Sequence, residues 1–247
     1  LGITNLHMAD VNFGMYPQDS VTCKSLLSTN KKYHWPLEIM ATTGKNSKKR
    51  VMEITSILGN MFSINMSMQS MDEQVLRNIK RANIKLDHML EVNNHLIEQG
   101  RSTQAELIMP LPGETKESFI KGLNNVLNSH TSSVTIYTLM MLNGTEFKNP
   151  DFRKKYGYIG KFRIVPLNFG EYDDQRIFDF EEVGISTKDM SFKEYLSLRA
   201  LALLVESLVN GKPFYEFFKY AKNFNIKAAD LLKTMYENIN LASSNIQ

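Results

Sequence analysis

Short apolar runs, polar turns and amphipathic stretches alternate through the first 145 residues, and that rhythm predicts βα units laid on a parallel sheet. "ITNLHMAD" reads as a strand, followed by a helix over 19–30, and "WPLEIMATT" at 35–43 reads as the next strand. A helix over 49–60 closes at Gly59 and Asn60, residue types that accept left-handed backbone. "SINMSMQ" at 63–69 is the third strand, "QAELIM" the fourth and "SVTIYTLMML" the fifth. Helices fill the gaps after Ser70, over 87–99 up to Gly100, and through "KESFIKGLNNVLN", where Thr115 is the predicted cap.

Within the third strand a period of two sends Ile64, Met66 and Met68 one way and Asn65, Ser67 and Gln69 the other. In a barrel the first set faces the helical coat and the second the interior. A fully apolar sheet core has no use for that polar row. Ser70 followed by Glu73 predicts a capping box ahead of a helix whose apolar stripe is Val75, Leu76 and Ile79.

Beyond residue 150 the pattern loses its period and reads as loop-rich until Ser191 and Glu194, a second capping box that opens a helix to about residue 210. Gly211 and Pro213 interrupt it, and helices follow at 214–223 and 227–240. The expected architecture is therefore α/β. Residues 1–150 form an incomplete barrel of parallel βα units, and 151–247 a loop-rich, mainly helical extension.

Composition narrows the class without naming a chemistry. The 247 residues carry 29 basic and 26 acidic side chains, a formal charge of +3. No block of five like charges occurs, and "KNSKKR" at 45–50 reads as a solvated loop, so no nucleic-acid partner is expected. No apolar run reaches membrane-spanning length and the start lacks a secretory pattern, which makes the cytoplasm the default. One cysteine, Cys23, excludes an intrachain disulfide and a self-contained cysteine metal cluster, and the five histidines lack HExxH spacing.

Enzymes on parallel barrels gather reactive groups at the C-terminal ends of strands. Asp10 and Asn12, Thr42 and Thr43, Gln69, Glu106 and the turn Asn143 to Thr145 all fall there. Glu106, as an acceptor-only carboxylate, suits a ligand hydroxyl pair or amine, or equally a lysine or arginine partner. Arg81 has the fork to clamp a carboxylate, although on spacing alone it reads as a solvated residue at a helix end. "PLPGET" lacks the glycines and GK pair of a phosphate loop.

The ordered set "ADVNFGMYPQD", "MSMQSMDEQVLRNIKR", "AELIMPLPGETKESF" and "MMLNGT" resembles the radical S-adenosylmethionine enzymes, especially the branch that often carries a cobalamin-binding domain upstream. "RIVPLNFGEYDD" and "FEEVGISTKDMSFKEYLSLR" continue the likeness, which spans most of residues 1–200. The resemblance implies a six-stranded partial TIM barrel whose second strand is the first strand here. It implies that Gln69 lines the adenosylmethionine pocket, Arg81 holds the methionyl carboxylate, Glu106 lies near the ribose, and Asp10 and Asn12 approach the methionyl amine and substrate. Ser67, on the face of Gln69, joins this cofactor-binding set.

The resemblance also implies a [4Fe-4S] cluster on a CxxxCxxC loop, possible use of cobalamin through an upstream domain, an external electron donor, and a small-molecule, lipid-like or peptide substrate. This chain has no CxxxCxxC, and Cys23 cannot replace one. Two readings stay open: a C-terminal portion of a longer enzyme, which the non-Met start favours, or a degenerate partial barrel with a binding or interaction role. An ordinary βα-barrel enzyme using Glu106 as acid or base is a third. On the first reading the isolated chain does not assemble the cluster, and an open sheet edge makes it prone to association.

Overall fold

The computed structural model describes residues 2–43, 48–81, 86–98, 103–129 and 131–241. Strands β1 (Asn5–Phe13), β2 (Glu38–Thr43), β3 (Phe62–Gln69), β4 (Thr103–Met109) and β5 (Ser133–Thr138) form one sheet in the order β1-β2-β3-β4-β5, every pair parallel. Parallel neighbours need a crossover. These are supplied by α1 (Pro17–Tyr33), α2 (Lys48–Leu58), the pair α3 (Glu73–Asn78) and α4 (Leu86–Glu98), and α5 (Lys116–Asn128). Sequential strand order is also the order in which a barrel winds.

One face of the sheet is buried against helices. β4 alternates strictly, with Thr103, Ala105, Leu107 and Met109 buried and Gln104, Glu106 and Ile108 turned the other way. Ile39, Ala41, Phe62, Val134 and Ile136 continue the buried side and meet Ile54, Leu58, Leu123 and Val126 of the helices. Each Val, Leu, Ile, Met or Phe among them, fully buried, contributes about 1.5–3 kcal/mol. Gly14, in left-handed backbone, lets the end of β1 lie against α2, since a Cβ there would sit 2.5 Å from Ile54 Cδ1.

The segment after β5 is not loop-rich, contrary to the expectation from its pattern. Following α6 (Pro150–Tyr156), residues Ile159–Tyr172 (β6) and Gln175–Ser186 (β7) form a long antiparallel hairpin. Its base joins the main body: the Met141 amide donates to Glu182 O at 2.8 Å and the Gly184 amide to Leu139 O at 2.9 Å. The helical remainder is α7 (Phe192–Leu204), running on as a wider π-type turn to Val209, then α8 (Tyr215–Lys222) and α9 (Ala228–Glu237).

Two of the three predicted caps hold. Ser191 accepts from the Glu194 amide while the Glu194 carboxylate accepts from the Ser191 amide, and Thr115 accepts from the Ser118 amide. The third moves: Asp72, not Ser70, caps α3, taking the Gln74 and Val75 amides at 2.8 and 3.0 Å. Asn210 finishes the β5 edge, its side chain accepting from the Val134 amide and donating to the Val134 carbonyl, as a neighbouring strand would. Among the described residues no element caps the outer edge of β1 in this way. No described helix is long and apolar enough to cross a membrane. Gly100 and residues 45–47 of the basic loop, together with the side chains of Thr43, Ile64, Asn65 and Met66, lie outside the described residues.

Candidate functional site

The face of the sheet away from the helices carries a polar row. Register pairs Ser67 of β3 with Glu106 of β4, and Glu106 with Thr135 of β5. Because the period is two, all three side chains project from the same uncovered face. Ser67 Oγ donates to Glu106 Oε2 at 2.5 Å, a charge-assisted contact that fixes the carboxylate. Tyr137, two residues beyond Thr135, shares this face and stands about half exposed. Its phenol is pushed above the usual tyrosine range, first by burial and then by the Glu106 charge.

Gln69 does not continue that row. The pairing slips between Ser67 and Gln69, so Gln69 lies beside Leu107, and its backbone is left-handed at φ 62°. A non-glycine residue in that region is uncommon and is held there by its surroundings. Its side chain is buried, and Oε1 has no hydrogen-bond partner among the described residues. Buried polar atoms in native proteins are rarely left so, and an unpartnered acceptor at a strained strand end fits a ligand donor.

Beneath Gln69 the two turns at the mouth of the sheet are tied together. Ser70 Oγ donates to Glu114 Oε1 at 2.6 Å and accepts from the Asp72 amide, which explains why it is unavailable as a helix cap. Glu114 is 1% exposed and its Oε2 has no partner among the described residues. Burial, only partly offset by the Ser70 bond, pushes its carboxyl up to about 8. Around it Asn78 Nδ2 donates to the Pro112 carbonyl and the Tyr158 hydroxyl to the Pro110 carbonyl. Tyr158 belongs to a second small core with Val75, Leu111, Leu139 and Met141, packed over the strand ends.

The remaining candidates sit apart. Asp10 and Asn12 are exposed at the end of β1, where Asp10 Oδ1 accepts from the Asn12 amide at 2.8 Å. Arg81 follows α3, exposed, its amide on the Leu76 carbonyl and its guanidinium without a carboxylate partner among the described residues. The structure thus joins Ser67 to Glu106 and keeps Gln69 buried two residues along the same strand, while Arg81, Asp10 and Asn12 are exposed. Thr135, Tyr137 and Glu114 were not among the sequence candidates. The first two were readable from the alternation of "SVTIYT", whereas nothing local marks Glu114 as buried.

No family model matches the chain. By sequence it is 29% identical over 218 residues to the cobalamin-dependent radical SAM methyltransferase TokK of Streptomyces tokunonensis. It is 27% identical over 218 residues to the 2-(S-pantetheinyl)-carbapenam-3-carboxylate methyltransferase of Streptantibioticus cattleyicolor. Both matches take in 85% of this chain and 31% of the relative, so the chain spans about a third of the length of these curated relatives. By sequence it is thus similar to two methyltransferases, one of them a cobalamin-dependent radical SAM enzyme. Among solved structures, TsrM from Kitasatospora setae, a radical S-adenosylmethionine methyltransferase, aligns with TM-score 0.46 and 14% identity over 56% of this chain and 26% of its own.

The fixed Glu106 carboxylate and the orphan Gln69 Oε1 are acceptors of the kind a nucleoside's hydroxyl and amino groups require. Nothing among the described residues fits an iron-sulfur cluster. Among the described residues no three His, Cys, Asp or Glu side chains converge, and Cys23 is buried in α1 with its thiol pushed up to about 12 by burial and by Asp19 and Glu53. A thiolate ligand needs the opposite environment.

Proposed function

We propose that this chain forms the adenosylmethionine-holding wall of a partial TIM barrel in a cobalamin-dependent radical S-adenosylmethionine methyltransferase. The observation that carries the reading is the Ser67–Glu106 pair, a hydrogen-bonded carboxylate on the open face of a parallel sheet. Glu106 accepts from the ribose hydroxyls, and Ser67 holds it in position. Gln69 Oε1 accepts a donor from the nucleoside, Arg81 forks onto the methionyl carboxylate, and Asp10 and Asn12 face the methionyl amine. Tyr137 and Thr135 extend the same row toward the substrate.

When bound, adenosylmethionine supplies the methyl group and the sulfonium bond to be cleaved; what these residues contribute is orientation. The [4Fe-4S] cluster has to come from elsewhere in the complete gene product, as does any cobalamin site. An external electron donor and a small-molecule, lipid-like or peptide substrate belong to the same proposal. The single, buried cysteine favours one other reading, a noncatalytic module that binds the nucleoside without cleaving it.

The test is equilibrium dialysis of labelled S-adenosylmethionine against the reconstituted complete gene product. Glu106→Ala is expected to weaken binding at least tenfold, and Ser67→Ala by about threefold, the worth of one modest hydrogen bond. Binding unchanged in Glu106→Ala overturns the assignment. Binding without methyl transfer or adenosylmethionine cleavage, under reducing conditions with cluster and cobalamin loaded, supports the noncatalytic reading.

A further inference from the structure

A cavity of about 470 Å³ opens near the start of β5, at the opposite end of the parallel strands from the mouth that holds Gln69 and Glu114. It lies between the ends of α4 and α5 on one side and α8 with its flanking turns on the other. Its size falls within the range of about 300–1,000 Å³ typical of small-molecule pockets. Leu127, Val209, Phe218 and Ile226 give it an apolar floor.

The charges around this floor are one-sided. Lys212, Lys219 and Lys222 all line the cavity, and no acidic residue does among the described residues. Lys212 Nζ stands 5.6 Å and Lys219 Nζ 5.9 Å from the centre of the Tyr215 ring, so two ammonium groups share one aromatic ring. Among the described residues only Lys219 of the three forms an ion pair, with Glu216 at 3.6 Å, and that pair is solvent-exposed and therefore weak. Three lysines thus ring an apolar hollow that no acidic residue lines among the described residues. An anionic head with an apolar body matches both features.

We propose that this cavity is a binding site for an amphipathic anion, its carboxylate or phosphate head held by Lys212, Lys219 and Lys222 and its alkyl or similarly apolar body seated on Leu127, Val209, Phe218 and Ile226. The site is separate from the adenosylmethionine wall and does not depend on that reading. It gives the C-terminal helices a ligand-responsive contact with the helical coat of the sheet.

Calorimetric titration of the full chain with laurate, dodecyl phosphate and dodecanol, each below its aggregation concentration, tests the site. One-to-one binding of at least one anion is expected, with dodecanol at least tenfold weaker. The tighter of the two anions identifies the head group. The double variant Lys219→Glu/Lys222→Glu is expected to lose at least tenfold in anion affinity, and Lys219→Gln/Lys222→Gln, which carries less risk to folding, to lose about three- to tenfold. Absence of saturable binding by either anion, affinity for dodecanol equal to that for the anions, or unchanged anion affinity in folded lysine variants overturns the proposal.

Discussion

Glu114 sits in an environment that disfavours its ionised side chain. Its folded carboxyl titrates at about 8, far above the ordinary glutamate value, because burial disfavours the charge more than Ser70 favours it. A raised folded pKa means that the native state holds a proton the unfolded chain gives up. Stability is therefore greatest below the unfolded value and falls as pH rises toward 8. At about 1.4 kcal/mol per unit, the loss between pH 5 and 8 is on the order of 2–5 kcal/mol. Urea denaturation should show this decline in the wild type and a flatter curve in Glu114→Gln, which has no charge to bury. A Gln variant with the wild-type decline would place the titrating group elsewhere. Residue-scale legibility was uneven for a physical reason. The Ser67 and Glu106 placements follow from strict alternation, which a short regular strand preserves. Gln69 escapes alternation through a register slip and a left-handed backbone, and Glu114 is buried only because two turns distant in sequence close over it.

Among the elements, the hairpin β6–β7 was the least legible and is the most informative. Pro166 and the slip between Ile164 and Phe169 break its alternation, and its turn uses Asp173 and Asp174, both left-handed, in place of the more familiar Asn-Gly or Asp-Gly. Replacing Asp174 by Gly should stabilise the turn by a few tenths of a kcal/mol, measurable as slower amide exchange across Phe169–Phe178. The base of the hairpin is tied by Glu182, whose carboxylate meets Lys148 and, at 2.9 Å, Arg153. Those bonds hold the Glu182 carboxyl below the ordinary glutamate range. A depressed folded pKa stabilises above the unfolded value and stops doing so as pH falls through the folded one. Glu182→Ala should accordingly raise protease cleavage between residues 160 and 180 at pH 7, and the difference from wild type should shrink as pH falls below the ordinary glutamate range. Caps were easier to read, since Ser191 and Glu194 sit three apart in sequence and act locally. Ser191→Ala is expected to cost about 1 kcal/mol in thermal or urea unfolding.

For the whole molecule, the sheet has two unlike edges and two unlike faces. The β5 edge is finished by Asn210 and by Arg199, whose guanidinium donates to the Ile136 carbonyl at 3.2 Å. The β1 edge has no such cover among the described residues, and an open parallel edge is a template for pairing. The isolated chain should therefore elute larger than a monomer on size exclusion, increasingly so at higher concentration. The two faces explain why the class was legible while its closure was not. Helical amphipathicity and strand alternation are written every few residues, so parallel α/β units could be read off directly. How far the sheet curls depends on contacts between distant segments. A polar row on one face and a continuous apolar layer on the other are what a ligand-holding wall requires, and the S-adenosylmethionine of the proposed function is the ligand to try first.

The most direct measurement is the affinity of the reconstituted complete gene product for labelled S-adenosylmethionine, with and without Glu106→Ala. The account predicts saturable binding weakened at least tenfold by that one substitution, with the fold retained by circular dichroism. Equal affinity in the folded variant and the wild type, or no binding by the wild type with its cluster loaded, would contradict it.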